Sequence, residues 1–197
     1  MENEVIHRLF AKPKIDYDAI LKYAMCKEAT EEVVSLLDEC IYEARLSFYY
    51  RVSYIVLPVE TKGEFVDLGF AKSSSKMLMK AMDGCDSCIL FAATVGGNID
   101  HLIRKYSRTA PAKALLFQAL GTERVETLCK TFVKAIKREM KIKTSRRVSP
   151  GYGDLPLEIQ KDIFNLLNCA RTIGLTLNDN MLMSPSKSVT AFMGIKK

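Results

Sequence analysis

Arg147, Ser149, Gly151 and Tyr152 stand close together in the run Arg-Val-Ser-Pro-Gly-Tyr at 147–152, part of Ser-Arg-Arg-Val-Ser-Pro-Gly-Tyr-Gly-Asp-Leu-Pro at 145–156. An arginine fork matches a carboxylate or phosphate with two parallel hydrogen bonds. A tyrosine adds a flat face that attracts cations and a hydroxyl at its tip. Between them Pro150 fixes φ and Gly151 tolerates φ > 0, so the pair reads as a tight turn of type II. Such a turn leaves backbone N–H groups open and lets a ligand come close where no Cβ stands. The set suits a small molecule with a carboxylate, a flat ring and a positive centre. The same residues would also serve as a plain surface connection between two helices.

Cys85 and Cys88 form a lone Cys-x-x-Cys, the pattern of a redox dithiol or of half a zinc site. A zinc site needs about two further ligands, and neither His7 nor His101 has a matching spacing. A thioredoxin-type pair opens a helix, whereas Cys88 begins an apolar, strand-like run, so structural cysteines are expected. From Lys130 to Arg147, eight basic residues face only Glu139. That stripe is either a solvated helix face or a docking surface for nucleic acid or an acidic protein. It contains no interleaved aromatics and no nucleic-acid motif, which favours the solvated face.

The run Arg-x-Ser-Pro-Gly-Tyr-Gly-Asp-x-Pro is followed by Gly174-Leu-Thr-Leu, Met181, Pro185 and Lys187-Ser-Val. Together they resemble the activation domain of cobalamin-dependent methionine synthase. The likeness is strongest over 144–194 and continues upstream through Phe-Ala-Ala-Thr-Val-Gly at 91–96 and Gly-Thr-Glu at 121–123. It implies an S-adenosylmethionine-binding domain whose Arg-x-x-x-Gly-Tyr motif falls on Arg147, Gly151 and Tyr152, with Ser149 between them. It also implies a carboxylate on the preceding helix, matched here to Glu126; a solvated glutamate is the alternative. Lys187 and Ser188 would add polar groups near the site.

The function this resemblance implies is that of an accessory protein. It would bind S-adenosylmethionine and support reductive methylation, and so reactivation, of cobalamin carried by a separate methionine synthase or corrinoid protein. A flavodoxin-type donor would supply the electron. Cobalamin would enter only indirectly, on the partner, and the chain itself would contribute positioning and no acid, base or nucleophile. Two other readings stand beside it: a stand-alone module sensing S-adenosylmethionine or a related nucleotide, and a basic protein or nucleic-acid interaction protein. The cobalamin signature Asp-x-His-x-x-Gly is absent, since Asp100-His101 lacks its continuation. The chain also ends soon after its last strand, so family ligand contacts further along are expected to be missing.

Several elements must position these residues. Pro111 opens a long helix over 109–140 whose apolar residues recur at three and four, with Gly121 inside it. It leads directly into the Arg147 loop, and a helix over 155–167 follows with Pro156 in its first turn. Upstream, 4–10 has helical spacing, 16–25 reads as a short helix, and 30–47 is an amphipathic helix capped by Thr30. A strand over 49–57 precedes a second short strand over 64–70, and the two are expected to pair through a turn at 60–63. A serine among 73–75 caps the next helix. The glycine turn at 94–97 joins a buried strand to a helix and is expected to border the ligand site. Residues 189–195 read as a closing strand.

Helices and strands mix without βαβ alternation, which gives an α+β class: one twisted, mainly antiparallel sheet flanked by helices. At 197 residues, 48% hydrophobic and 26% charged, the chain is expected to form one domain over 1–197, with 1–28 as a helical N-terminal arm. No run approaches the ~18 apolar residues of a membrane helix, and the first residues carry no signal-peptide pattern. A cytoplasmic location with six reduced cysteines is the expectation.

Overall fold

The computed structural model describes residues 4–196. The first half comprises β1 (Ile6–Leu9), α1 (Tyr17–Tyr23), α2 (Glu31–Glu43), β2 (Arg51–Pro58), β3 (Glu60–Lys62), β4 (Phe65–Asp67), β5 (Lys72–Ser73), α3 (Lys76–Met82) and β6 (Cys85–Thr94). The second comprises α4 (Asn98–Tyr106), α5 (Pro111–Met140), β7 (Lys143–Thr144), α6 (Gln160–Leu167), α7 (Cys169–Ile173), β8 (Thr176–Leu177), β9 (Met183–Ser184) and β10 (Ser188–Lys196). The main sheet has the order β1-β2-β6-β10-β7, and every pairing in it is antiparallel. The α+β class read from the sequence is the class observed.

Both faces of this sheet are covered, which explains why β6 reads as an unbroken apolar run and not as an alternation. Ile89, Phe91 and Ala93 of β6 point, with Ala191 and Met193 of β10, toward Leu128, Phe132 and Ile136 of α5. Cys88, Leu90, Ala92 and Phe192 point the other way, onto residues of α3, α6 and α7. A third cluster joins α1, α2 and α4 to the first half of α5, with Cys40 in it as a small core residue. Helix α5 thus lies against the sheet with one half and against three helices with the other. Gly121 sits between the halves, where a Cβ would stand 2.9 Å from Cγ of Lys187.

Two elements differ from the sequence reading. Residues 6–9, expected as a helical turn, form an edge strand whose register pairs Ile6 with Tyr54 and Leu9 with Arg51. The N-terminal segment is therefore a strand followed by the helix α1, not a purely helical arm; the part of that expectation on residues 1–3 lies outside the described residues. The strand within 64–70 pairs with β3 and β5 in a separate three-stranded sheet and not with β2. The turn lies at Gly63-Glu64, where Gly63 has φ +58°. Thr30 and Ser75 cap their helices through side-chain bonds to Val33 N and Leu78 N.

Candidate functional site

Helix α5 ends on Lys141 in the left-handed region, and the chain turns back beside β10. There Val148 N donates to Phe192 O (3.0 Å) and Phe192 N donates to Val148 O (2.8 Å). This two-way bridge holds the Arg147 loop at the sheet edge. Beyond it the chain leaves the edge through Ser149-Pro150-Gly151-Tyr152, closed by Tyr152 N donating to Ser149 O (3.3 Å), with Gly151 at φ +82°. Proline at the second position and positive φ at the third identify the type II turn read from the sequence. A Cβ on Gly151 would be strained by this φ and would meet Leu157 Cδ1 at 3.0 Å.

A cavity of about 550 Å³ opens where the loop parts from β10. Glu126, Arg147, Ser149 and Tyr152 line it; Gly151 shapes the turn from behind and does not. Arg147 Nη2 donates to Glu126 Oε2 at 2.6 Å, and both side chains are a little over a quarter exposed. The other terminal nitrogen of Arg147 is buried against the thiol of Cys129, with no oxygen acceptor among the described residues. Burial opposes the charge on Arg147, but Cys129 and Glu126 more than offset it, so its pKa lies above the ordinary value. Burial pushes the Cys129 thiol up to about 12, so it stays protonated and unreactive near neutral pH. Tyr152 is 71% exposed and stands at the mouth.

The remaining walls come from distant segments: Met77 from α3, Gln160 from α6, Met183 from β9, and Ser188, Val189 and Thr190 from β10. The sequence reading assigned none of these except Ser188. Its hydroxyl is engaged within the protein, donating to Pro185 O at 2.8 Å with the Thr94 hydroxyl also at 2.8 Å. Lys187 points away from the cavity, lying across Gly121 with Nζ donating to Thr122 Oγ1. The glycine turn at 96–97 does not reach the cavity: Gly96 abuts Tyr49 and Gly97 abuts Pro185. Cys85 and Cys88 are free thiols packed in β6, and burial raises both, Cys88 to about 12. Among the described residues no group of three His, Cys, Asp or Glu side chains is placed to hold a metal.

Asp154, which follows the turn, locks the loop to α3. Its carboxylate accepts from Ser75 Oγ (2.6 Å), Lys76 N (2.6 Å) and Met77 N (3.2 Å). Ser75 in turn accepts from Leu78 N, so two side chains together cap α3 and carry Met77 to the cavity wall. The Gly-Asp step after the turn was the available sequence signal, because aspartate bonds nearby backbone N–H groups readily. These bonds, the Ser75 hydroxyl first and the Lys76 N–H next, hold the Asp154 pKa below its ordinary 3.8. The latch therefore stabilises the fold fully above that value and is lost as pH falls through the lower, folded value. Asp154→Asn is expected to lower the melting temperature at pH 7. It should also flatten the acid-side fall seen in the wild type, read by thermal denaturation from pH 7 down to about pH 2.

Three comparisons with known proteins complete this description. Residues 70–197, well over half the chain, match the family described as vitamin B12 dependent methionine synthase, activation domain. No curated protein sequence matches the chain. Among solved structures, the crystal structure of the MetH reactivation domain bound to AdoHcy superposes over 98% of this chain and 78% of that one. The TM-score is 0.71 and the identity 14%. This likeness is one of fold, and it extends through the N-terminal segment that precedes the family match.

Proposed function

The chain belongs to the family of vitamin B12 dependent methionine synthase activation domains, and from that premise we propose that it binds S-adenosylmethionine in the cavity beside β10. Bound there, the ligand would support reductive methylation of a corrinoid held by another polypeptide. The observation that carries this reading is the Arg147–Glu126 ion pair at the rim of the cavity, with Tyr152 beside it. An amino-acid head group carries one negative and one positive end. Its carboxylate suits the donor fork of Arg147, and its ammonium suits Glu126, so each ion exchanges a protein partner for a ligand one. The exposed ring of Tyr152 offers a face to the sulfonium at the mouth.

S-adenosylmethionine would supply the methyl group and a one-electron donor the reducing equivalent for the partner's corrinoid, and S-adenosylhomocysteine would be left in the cavity. The chain's own residues bind and orient: the latch of Asp154 holds the loop, and the bridge at Val148 holds it to the sheet. The donor's docking place in this reading is the groove next to the cavity, where Lys130, Lys134, Lys137 and Arg146 have no carboxylate partner among the described residues. An acidic, flavodoxin-type surface complements it. Among the described residues no helix is long and apolar enough to cross a membrane.

Isothermal titration of the chain with S-adenosylmethionine tests the binding step. Saturable binding with one site per chain is expected, and the absence of heat at millimolar ligand would sink the reading. Methyl transfer to a corrinoid protein, followed by the corrinoid's absorbance in the presence of a one-electron reductant, separates a reactivating domain from a sensor.

A further inference from the structure

The basic groove next to the cavity holds about 520 Å³. One side of it is the face of α5 that carries Lys130, Lys134 and Lys137, and the other is the returning segment of Thr144, Ser145 and Arg146. Spaced by four and by three, the lysines stand in one row along the helix. No carboxylate lines the groove, and none pairs with these lysines or with Arg146 among the described residues. The nearest acid in the sequence, Glu139, is taken by Arg8 of β1. Four cations gathered without a counter-charge repel one another, and a bound anion relieves that repulsion. Two buried donors border the same space. Thr144 Oγ1 and Arg147 Nη1 have no oxygen acceptor among the described residues, and both residues line the groove. Buried donors of this kind are rare and indicate an acceptor that the chain itself does not supply. Arg147 is also a wall of the cavity, where its Nη2 holds Glu126, so one guanidinium borders both spaces.

We propose that this groove binds a phosphate chain, and that the bound anion weakens ligand binding in the cavity through Arg147. The coupling rests on the S-adenosylmethionine reading above, whereas the groove's own affinity does not. Lys130, Lys134, Lys137 and Arg146 meet phosphate oxygens with charge-assisted hydrogen bonds. The row of lysines covers about 10 Å of helix, which suits two or three linked phosphates better than one. A ligand carboxylate in the cavity and a phosphate in the groove would share one guanidinium and repel each other across it. Each then lowers the affinity of the other by the same factor. The acidic donor surface requires the same cations, so a phosphate chain and the donor exclude one another at the groove.

The test titrates the full chain with inorganic pyrophosphate and with ATP at a fixed ionic strength of about 0.15 M, where general screening is constant. Saturable binding with one site per chain is expected. Tighter binding of ATP marks a nucleotide as the source of the chain, and tighter binding of pyrophosphate marks the free anion. Lys134→Gln combined with Lys137→Gln is expected to weaken both by about tenfold or more; its melting temperature checks that it is folded. S-adenosylhomocysteine, which has no net charge, is then titrated with and without saturating pyrophosphate. Its affinity is expected to fall by about fivefold in the wild type and to stay constant in the double variant. Heats no larger than those from chloride at the same ionic strength overturn the site. Saturable pyrophosphate binding that leaves S-adenosylhomocysteine affinity unchanged overturns the coupling through Arg147. If S-adenosylhomocysteine does not bind at all, the cavity reading fails, and the pyrophosphate titration alone decides the groove.

Discussion

Replacing Arg147 by alanine is expected to weaken S-adenosylmethionine binding by about a hundredfold, with little change in melting temperature. The two effects separate because the residue's bonds are of different kinds. In the free protein Arg147 makes a single ion pair with Glu126, and both side chains remain more than a quarter exposed. Solvent screens such a pair, so its loss costs the fold on the order of 1 kcal/mol or less. In the complex the guanidinium meets a ligand carboxylate inside the cavity. Truncating one partner of an enclosed, hydrogen-bonded charge pair costs about 2–5 kcal/mol, much of it from the charge left behind. Arg147→Lys keeps the charge but loses the fork and should recover only part of the affinity. Glu126→Gln is expected to cost less, about fivefold to tenfold, because one end of a charged hydrogen bond becomes neutral. Calorimetry gives the affinities and thermal denaturation the stability. An Arg147→Ala variant that binds as well as the wild type removes the head-group contact from the proposal.

The reach of the sequence varies from element to element for physical reasons. Helix α5 was legible because thirty residues repeat one periodicity and Pro111 marks its start. The type II turn was legible because Pro-Gly allows few other conformations. Strand β1 was not: apolar residues at 5, 6, 9 and 10 satisfy helical spacing, and only pairing with β2 makes them extended. The pairing of β4 failed for a similar reason, since Pro58 marks the end of β2 without revealing that the chain resumes pairing at Glu60 in another sheet. At the cavity, Arg147, Ser149 and Tyr152 were legible as candidates because they stand in one short run, and Glu126 only through the resemblance. Met77, Gln160 and Thr190 come from three separate segments that the motif does not contain, and no local spacing relates them. Glu123 and Arg124, adjacent charges within α5, are both buried, and no local spacing signals it.

That buried pair carries the largest expected effect on stability. Arg124 is fully enclosed in α5 and donates to both carboxylate oxygens of Glu123. Its terminal nitrogens also donate to Pro13 O (2.7 Å) and Lys14 O (2.8 Å), the first of them 111 residues away in sequence. Thr127 Oγ1 donates to Glu123 at 2.7 Å, so the carboxylate is well supplied while the arginine is present. Arg124→Met keeps much of the volume but strands the Glu123 charge and releases the segment between β1 and α1. Breaking a buried pair from one side costs about 3–5 kcal/mol, which at this chain length lowers the melting temperature by about 10 °C. The double variant Glu123→Gln, Arg124→Met removes the stranded charge. If charge is the main cost, the double variant melts well above the single one. If holding the Pro13 and Lys14 carbonyls matters more, the two melt together, and faster hydrogen exchange over 6–9 accompanies both. A single variant within about 1 kcal/mol of the wild type means that Arg124 neither neutralises Glu123 nor ties the N-terminal strand to α5.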